Sequence, residues 1–116
     1  MIKKKQIKAM PSTLRQKKRY IIFKISSPIK ESQLKNHLLN FLGVFGFALA
    51  NPQLILFDEK TNKGILRTSL IKLNEVISAL LMLKDEKNNL MQVQVISVSG
   101  TLKKAKNAFK HFIANI

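Results

Sequence analysis

Gln53-Leu-Ile-Leu-Phe-Asp58, Glu59-Lys-Thr-Asn-Lys63 and Gly64-Ile-Leu-Arg-Thr-Ser-Leu70 form the stretch on which the fold turns. Two short runs rich in apolar residues flank five polar ones, which is the pattern of an antiparallel hairpin. Asn51-Pro52 marks a boundary on its N-terminal side. Upstream, Leu34, Leu38, Phe41, Leu42 and Phe45 recur at helical spacing. This predicts an amphipathic helix that starts with Ser27 as N-cap and Pro28 in the first position and ends near Gly46. Before it, Arg19-Tyr-Ile-Ile-Phe-Lys-Ile-Ser26 reads as a strand of β-branched and aromatic residues.

Downstream of the hairpin, Leu73, Val76, Ile77, Leu80 and Leu83 return to helical spacing, and the polar run Asp85 to Asn89 closes that helix. Met91 to Ser99 alternates Gln92 and Gln94 with Val93 and Val95, a fourth strand. Gly100-Thr101 opens a last helix, with Thr101 as N-cap and Leu102, Ala105, Phe109 and Phe112 on one stripe. The order βαββαβα predicts an α+β fold, a ferredoxin-like or RRM-like βαββαβ two-layer sandwich with two helices on one sheet face and an extra C-terminal helix.

The chain has 116 residues, 46% of them hydrophobic, enough for one compact domain with a real core. We expect a basic arm over residues 1–9 and a single domain over 10–116. The absence of Cys excludes disulfides, thiolate metal sites and thiol nucleophiles, and agrees with a reducing, cytoplasmic setting. The longest apolar stretch, Leu38 to Ala50, is short of the roughly 20 residues that cross a bilayer, so no membrane span is expected. The basic start lacks the apolar core of a signal peptide before Pro11.

Charge is concentrated at the two ends. The net charge is +15, of which residues 1–19 carry +8 and residues 100–116 carry +4, both without an acid. A polyanion is the partner such a distribution suits. Solvated lysine tails and an anionic membrane surface are the alternatives; the second is weakened by the lack of an apolar face in residues 1–19.

Topology alone does not select a function, since the fold hosts RNA-binding, regulatory and enzymatic domains. An RRM stacks bases on aromatics of its central strands. The corresponding run here, Lys63 to Leu70, places Ile65, Arg67 and Leu70 where those aromatics belong, so contact with RNA is expected to be electrostatic and shape-directed. An acylphosphatase-like enzyme would need a dedicated Arg and Asn after the first strand, and Ser26 to Lys30 has neither. Metal-assisted phosphodiester hydrolysis needs converging carboxylates. The six acids, Glu31, Asp58, Glu59, Glu75, Asp85 and Glu86, read instead as turn and capping residues, and neither His37 nor His111 has a carboxylate one helical turn away to orient it.

Four blocks in order resemble the archaeal ribonuclease P protein component 2 family: Lys18-Arg-Tyr-Ile-Ile-Phe23 after the Pro11 to Arg15 lead, Leu42-Gly-Val-Phe-Gly46, Gly64-Ile-Leu-Arg67, and Val98-Ser-Gly-Thr-Leu-Lys-Lys-Ala105. The resemblance spans residues 10–113. It implies an RRM-like subunit, shared with eukaryotic ribonuclease P and MRP, that lacks the RRM aromatics. It further implies a TIM-barrel protein partner, component 3, and a catalytic RNA that removes 5′ leaders from precursor tRNA, with Mg2+ serving the RNA and no cofactor on the protein. The Lys-rich residues 1–9 depart from the family, and no role is carried over to them. A ribosomal or ribosome-associated RNA-binding protein remains the alternative reading of the same basic ends.

The residues expected to touch RNA are Arg15, Lys17, Lys18 and Arg19 leading into the first strand, Gly100, Lys103, Lys104 and Lys106 at the start of the last helix, Lys110 further along it, and Arg67 on the open side of the sheet. The helix entry is the sharpest of these, because exposed N–H groups favour a phosphate and Gly100 permits close backbone approach. Its plain alternative is a strand-to-helix turn with a cap. Apolar residues beyond the main helical stripes, Leu39, Val44, Phe47, Leu81 and Met82, suggest a protein interface and self-association, or simply a thick core.

Overall fold

The computed structural model describes residues 17–85 and 87–114, with side chains described through residue 110. The expected arm over 1–9, the lead with Arg15, and the side chains of His111 and Phe112 lie outside the described residues. The hairpin forms as its sequence predicts: β2 (Gln53–Asp58) pairs antiparallel with β3 (Lys63–Ser69). Asn62 closes the turn at φ 57°, its N–H donating to the Asp58 carbonyl at 2.7 Å, while Asp58 Oδ1 accepts the Lys60 N–H at 3.0 Å. β1 (Lys18–Ile25) lies between β3 and β4 (Val93–Ser99), antiparallel to both, in the order β2-β3-β1-β4.

Gly64 is where the sheet requires a glycine. Its cross-strand neighbours are Phe23 and Phe57, whose ring centroids lie 6.5 Å apart on one face. A β-carbon there would stand 2.8 Å from Phe23 Cζ and 3.0 Å from Phe57 Cδ1, so a side chain and the two rings cannot coexist unshifted. The same face carries α1 (Glu31–Ala50) and α2 (Leu73–Leu81), the latter entered through a 3-10 turn at Leu70–Lys72. Ile21, Phe23, Ile25, Leu34, Leu38, Leu66, Val76, Leu80 and Leu83 form this main core. Each large side chain buried there contributes about 1.5–3 kcal/mol.

The extra helix, α3 (Leu102–Ala114), covers the opposite face, where Ala105 and Phe109 pack on Ile22 and Ile65. One β-bulge in each edge strand serves this second core: the registers skip Ile55 in β2 and Ile96 in β4, and both side chains turn toward α3.

Three expectations for the first helix need correction. The first helix starts at Glu31 rather than at Ser27-Pro28, because Ile29 is drawn into the core and the chain stays extended through Lys30 at ψ 149°. It also continues past Gly46 to Ala50, interrupted at Gly43 (φ 77°, ψ 168°) and ended by left-handed Asn51, whose N–H donates to the Phe47 carbonyl at 2.8 Å. The break at Gly43 shifts the helical phase beyond it, so Phe45, expected on the buried stripe, is 79% exposed; Phe41, before the break and expected there too, is 46% exposed. Buried hydroxyls anchor the end of this helix to the sheet: Thr68 Oγ1 donates to the Ala50 carbonyl at 3.1 Å and Ser69 Oγ to the Leu49 carbonyl at 2.9 Å.

Candidate nucleic-acid interface

Antiparallel pairing brings the two basic ends of the described chain together. Tyr20 stands opposite Ser99, so the start of β1 and the entry to α3 share one end of the sheet. The Leu70 N–H donates to the Lys17 carbonyl at 2.7 Å and Lys18 pairs with Ser69, which fixes the backbone from which Lys17 and Lys18 project into solvent. Arg19 is half-buried; its Nη1 donates to the Lys18 carbonyl at 2.9 Å and lies 3.8 Å from where a β-carbon on Gly100 would be.

Thr101 caps α3 as its sequence predicts, Oγ1 accepting the Lys104 N–H at 3.2 Å. Lys103 and Lys104 are exposed in the first turn. Lys106 and Lys110, also exposed, flank Ile55 and Leu56 along β2. Helical geometry places Lys103, Lys106 and Lys110 on one stripe and Lys104 on another flank. The structure thus gathers Lys17, Lys18, Arg19, Gly100, Lys103 and Lys104 at one end and sends Lys106 and Lys110 toward the β2 edge.

Arg67 differs from expectation. It lies on the face carrying Ile65, which α3 covers, so that side of the sheet is not open; Arg67 is half-buried and its Nη2 donates to Gln53 Oε1 in the neighbouring strand. The same cover removes any RRM-like stacking platform, since Ile22 and Ile65 are wholly buried there.

Two cations escaped the sequence reading. Lys24 and Lys63 pair across β1 and β3, and Lys63 is completely buried. Burial first, then the Lys24 ammonium, pushes the Lys63 pKa below the usual lysine value, with Asp58 opposing. The available signal was strand alternation, which puts Lys63 on the same face as buried Ile65.

The described acids behave as turn and surface groups, Glu86 lying outside the described residues. Asp85 Oδ1 accepts the N–H groups of Lys87 and Asn89, both at 2.9 Å, Glu31 meets Lys35 at 3.8 Å, and Glu75 meets Lys72 at 2.9 Å. His37 is a tie between helices, its Nε2 donating to the Ala79 carbonyl at 2.6 Å. Among the described residues no group of three or more metal-binding side chains converges, and no helix is long and apolar enough to cross a membrane. Phe41, Val44 and Phe45 are exposed on α1, as are Leu81 at the end of α2 and Met82 just beyond it, whereas Phe47 packs against the core and Leu39 is half-buried.

Residues 19–110 match the model of the Rpp14/Pop5 family. The chain is 42% identical over 109 residues to ribonuclease P protein component 2 of Pyrococcus furiosus, covering 88% of this chain and 90% of that protein. With the protein of the same name from Methanocaldococcus jannaschii it shares 36% identity, covering 89% and 80%. A chain in a cryo-EM structure of yeast ribonuclease MRP has a similar fold, with a TM-score of 0.57 at 14% identity, covering 88% of this chain and 98% of that one.

Proposed function

The chain belongs to the Rpp14/Pop5 family, and from that membership we infer that it is a protein subunit of ribonuclease P, the ribonucleoprotein endoribonuclease that removes 5′ leaders from precursor tRNA. The observation that carries its role is the placement of Lys17, Lys18, Arg19, Lys103 and Lys104 at one end of a rigid sheet. Fixed cations there neutralise phosphates of the catalytic RNA, and of the precursor leader, at a smaller entropic cost than a mobile tail. Lys106 and Lys110 extend the cationic surface along α3, and Arg67 contributes from the Gln53 side.

The cleavage chemistry belongs to the RNA. Phosphodiester hydrolysis at metal ions needs carboxylate or phosphate ligands around them; the described acids are dispersed over turns and helix surfaces. Mg2+ therefore serves the RNA-catalysed step. We assign residues 1–9 to a basic arm ahead of a single domain over 10–116, in a cytoplasmic complex. The exposed apolar set Phe41, Val44, Phe45 and Met82 supports a protein partner, the TIM-barrel component 3, and self-association.

Reconstitution tests this reading. Adding this chain to the catalytic RNA and the remaining subunits should raise the rate of leader removal at limiting Mg2+. An assembly equally active without it would overturn the assignment.

A further inference from the structure

We propose that the groove between α3 and the edge strand β2 receives the base of an unpaired nucleotide in a single-stranded segment of bound RNA. The proposal rests on the RNA-binding reading above and specifies which form of RNA this surface takes. Ile55, Leu56 and Phe109 line the groove with Lys106 and Lys110, around a cavity of about 310 Å³. That is the low end of the volumes small ligands fill, suited to one planar group.

Its shape follows from the bulge. Skipping Ile55 in the β2–β3 register turns that side chain toward α3, and the next residue, Leu56, also borders the groove while staying 40% exposed. Among the described residues, no further strand lies beyond β2 in the sheet. Between the two lysines the walls are the apolar side chains of Ile55, Leu56 and Phe109, which suit the face of a base rather than its hydrogen-bonding edge.

The two cations complete the match. Lys106 and Lys110 are one helical turn apart and therefore neighbours on the surface of α3. Both are exposed, and among the described residues the groove lining holds no acid. Single strands are held without sequence preference by a cationic track for the phosphates beside a platform for the bases, most often aromatic. Here Lys106 and Lys110 supply the track, and the aliphatic Ile55 and Leu56 take the place of the platform. Duplex RNA keeps its bases stacked and offers a deep, narrow major groove that side chains do not read, so it can meet the lysines without filling the groove.

The chain has no Trp, which makes the test direct. In the full-length protein, Leu56→Trp places an indole at the groove and Leu56→Ser removes the apolar wall; circular dichroism checks that both fold. Binding is measured at one low salt concentration to a uridine-rich octanucleotide and to a blunt duplex of the same length. The single strand should quench the introduced indole, bind Leu56→Trp about fivefold more tightly and Leu56→Ser about fivefold more weakly than the unaltered protein, while duplex affinity stays constant.

Equal quenching by the duplex, by an acidic peptide or by uridine monophosphate at the same concentration would overturn the proposal. So would single-strand affinity indifferent to both substitutions in a protein that still binds RNA. If the unaltered protein binds neither RNA at low salt, the RNA-binding reading itself fails, a result separate from failure of the groove.

Discussion

Arg19 Nη1 lies 3.8 Å from the position a β-carbon on Gly100 would take, so the guanidinium of one basic segment stands at the entrance to the helix that carries the other. Gly100 has neither a left-handed φ nor a steric conflict that demands a glycine. Gly100→Ala is therefore expected to change stability by no more than about 0.5 kcal/mol, as at an ordinary surface site. If phosphate approaches the backbone here, the same substitution weakens RNA binding severalfold. Thermal unfolding and a binding titration on one preparation check both halves.

Salt dependence measures the charge contribution. About six single-strand phosphate contacts give a log–log slope near −4. Replacing Lys103, Lys104 and Lys106 together by Ala should flatten the slope by about 2. All three are exposed, so the unfolding midpoint should barely move. A slope unchanged by the triple substitution would remove α3 from the interface.

Gly64→Ala should act through the core. The added carbon meets Phe23 and Phe57 at 2.8 and 3.0 Å, and the Leu56 carbonyl at 3.1 Å. Overpacking of this kind costs about 1–3 kcal/mol. Urea denaturation should show that loss, and Gly64→Ala with Phe57→Leu should recover part of it.

Lys63 gives a pH dependence with a defined sign. Because its pKa is depressed in the folded state, the unfolded chain binds more protons between that pKa and the unfolded value of about 10.4, and stability rises with pH across this window. Lys63→Met should flatten the alkaline rise. Identical pH profiles for the two proteins would contradict the burial of an ionisable amine at this position.

Much of the fold was legible because its signals are local. The hairpin, the Thr101 cap and the stripes of α2 and α3 are each set by residues within a few positions of one another. What escaped depends on contacts distant in sequence. Ile29 pulls the helix start to Glu31, and Gly43 breaks a stripe whose spacing looked continuous, exposing Phe45. Thr68 and Ser69, ordinary strand residues by sequence, find carbonyls some 18 and 20 positions away. The site was legible as charge but not as arrangement: composition singled out Lys103 and Lys104, whereas the antiparallel register of β1 and β4 sets the start of their helix at the end of the sheet that carries Arg19. Arg67 was placed on an open face because nothing in its own strand announces that α3 packs over Ile65.

The central claim is that this chain supplies fixed countercharge while RNA breaks the bond. The most direct test is leader cleavage from precursor tRNA across a Mg2+ titration, comparing the unaltered protein with a variant in which Lys17, Lys18, Arg19, Lys103 and Lys104 are all replaced by Ala. The variant should need more Mg2+ to reach the same rate, with the cleavage position unchanged. Superimposable titrations, or leader cleavage by the protein with no RNA subunit present, would contradict it.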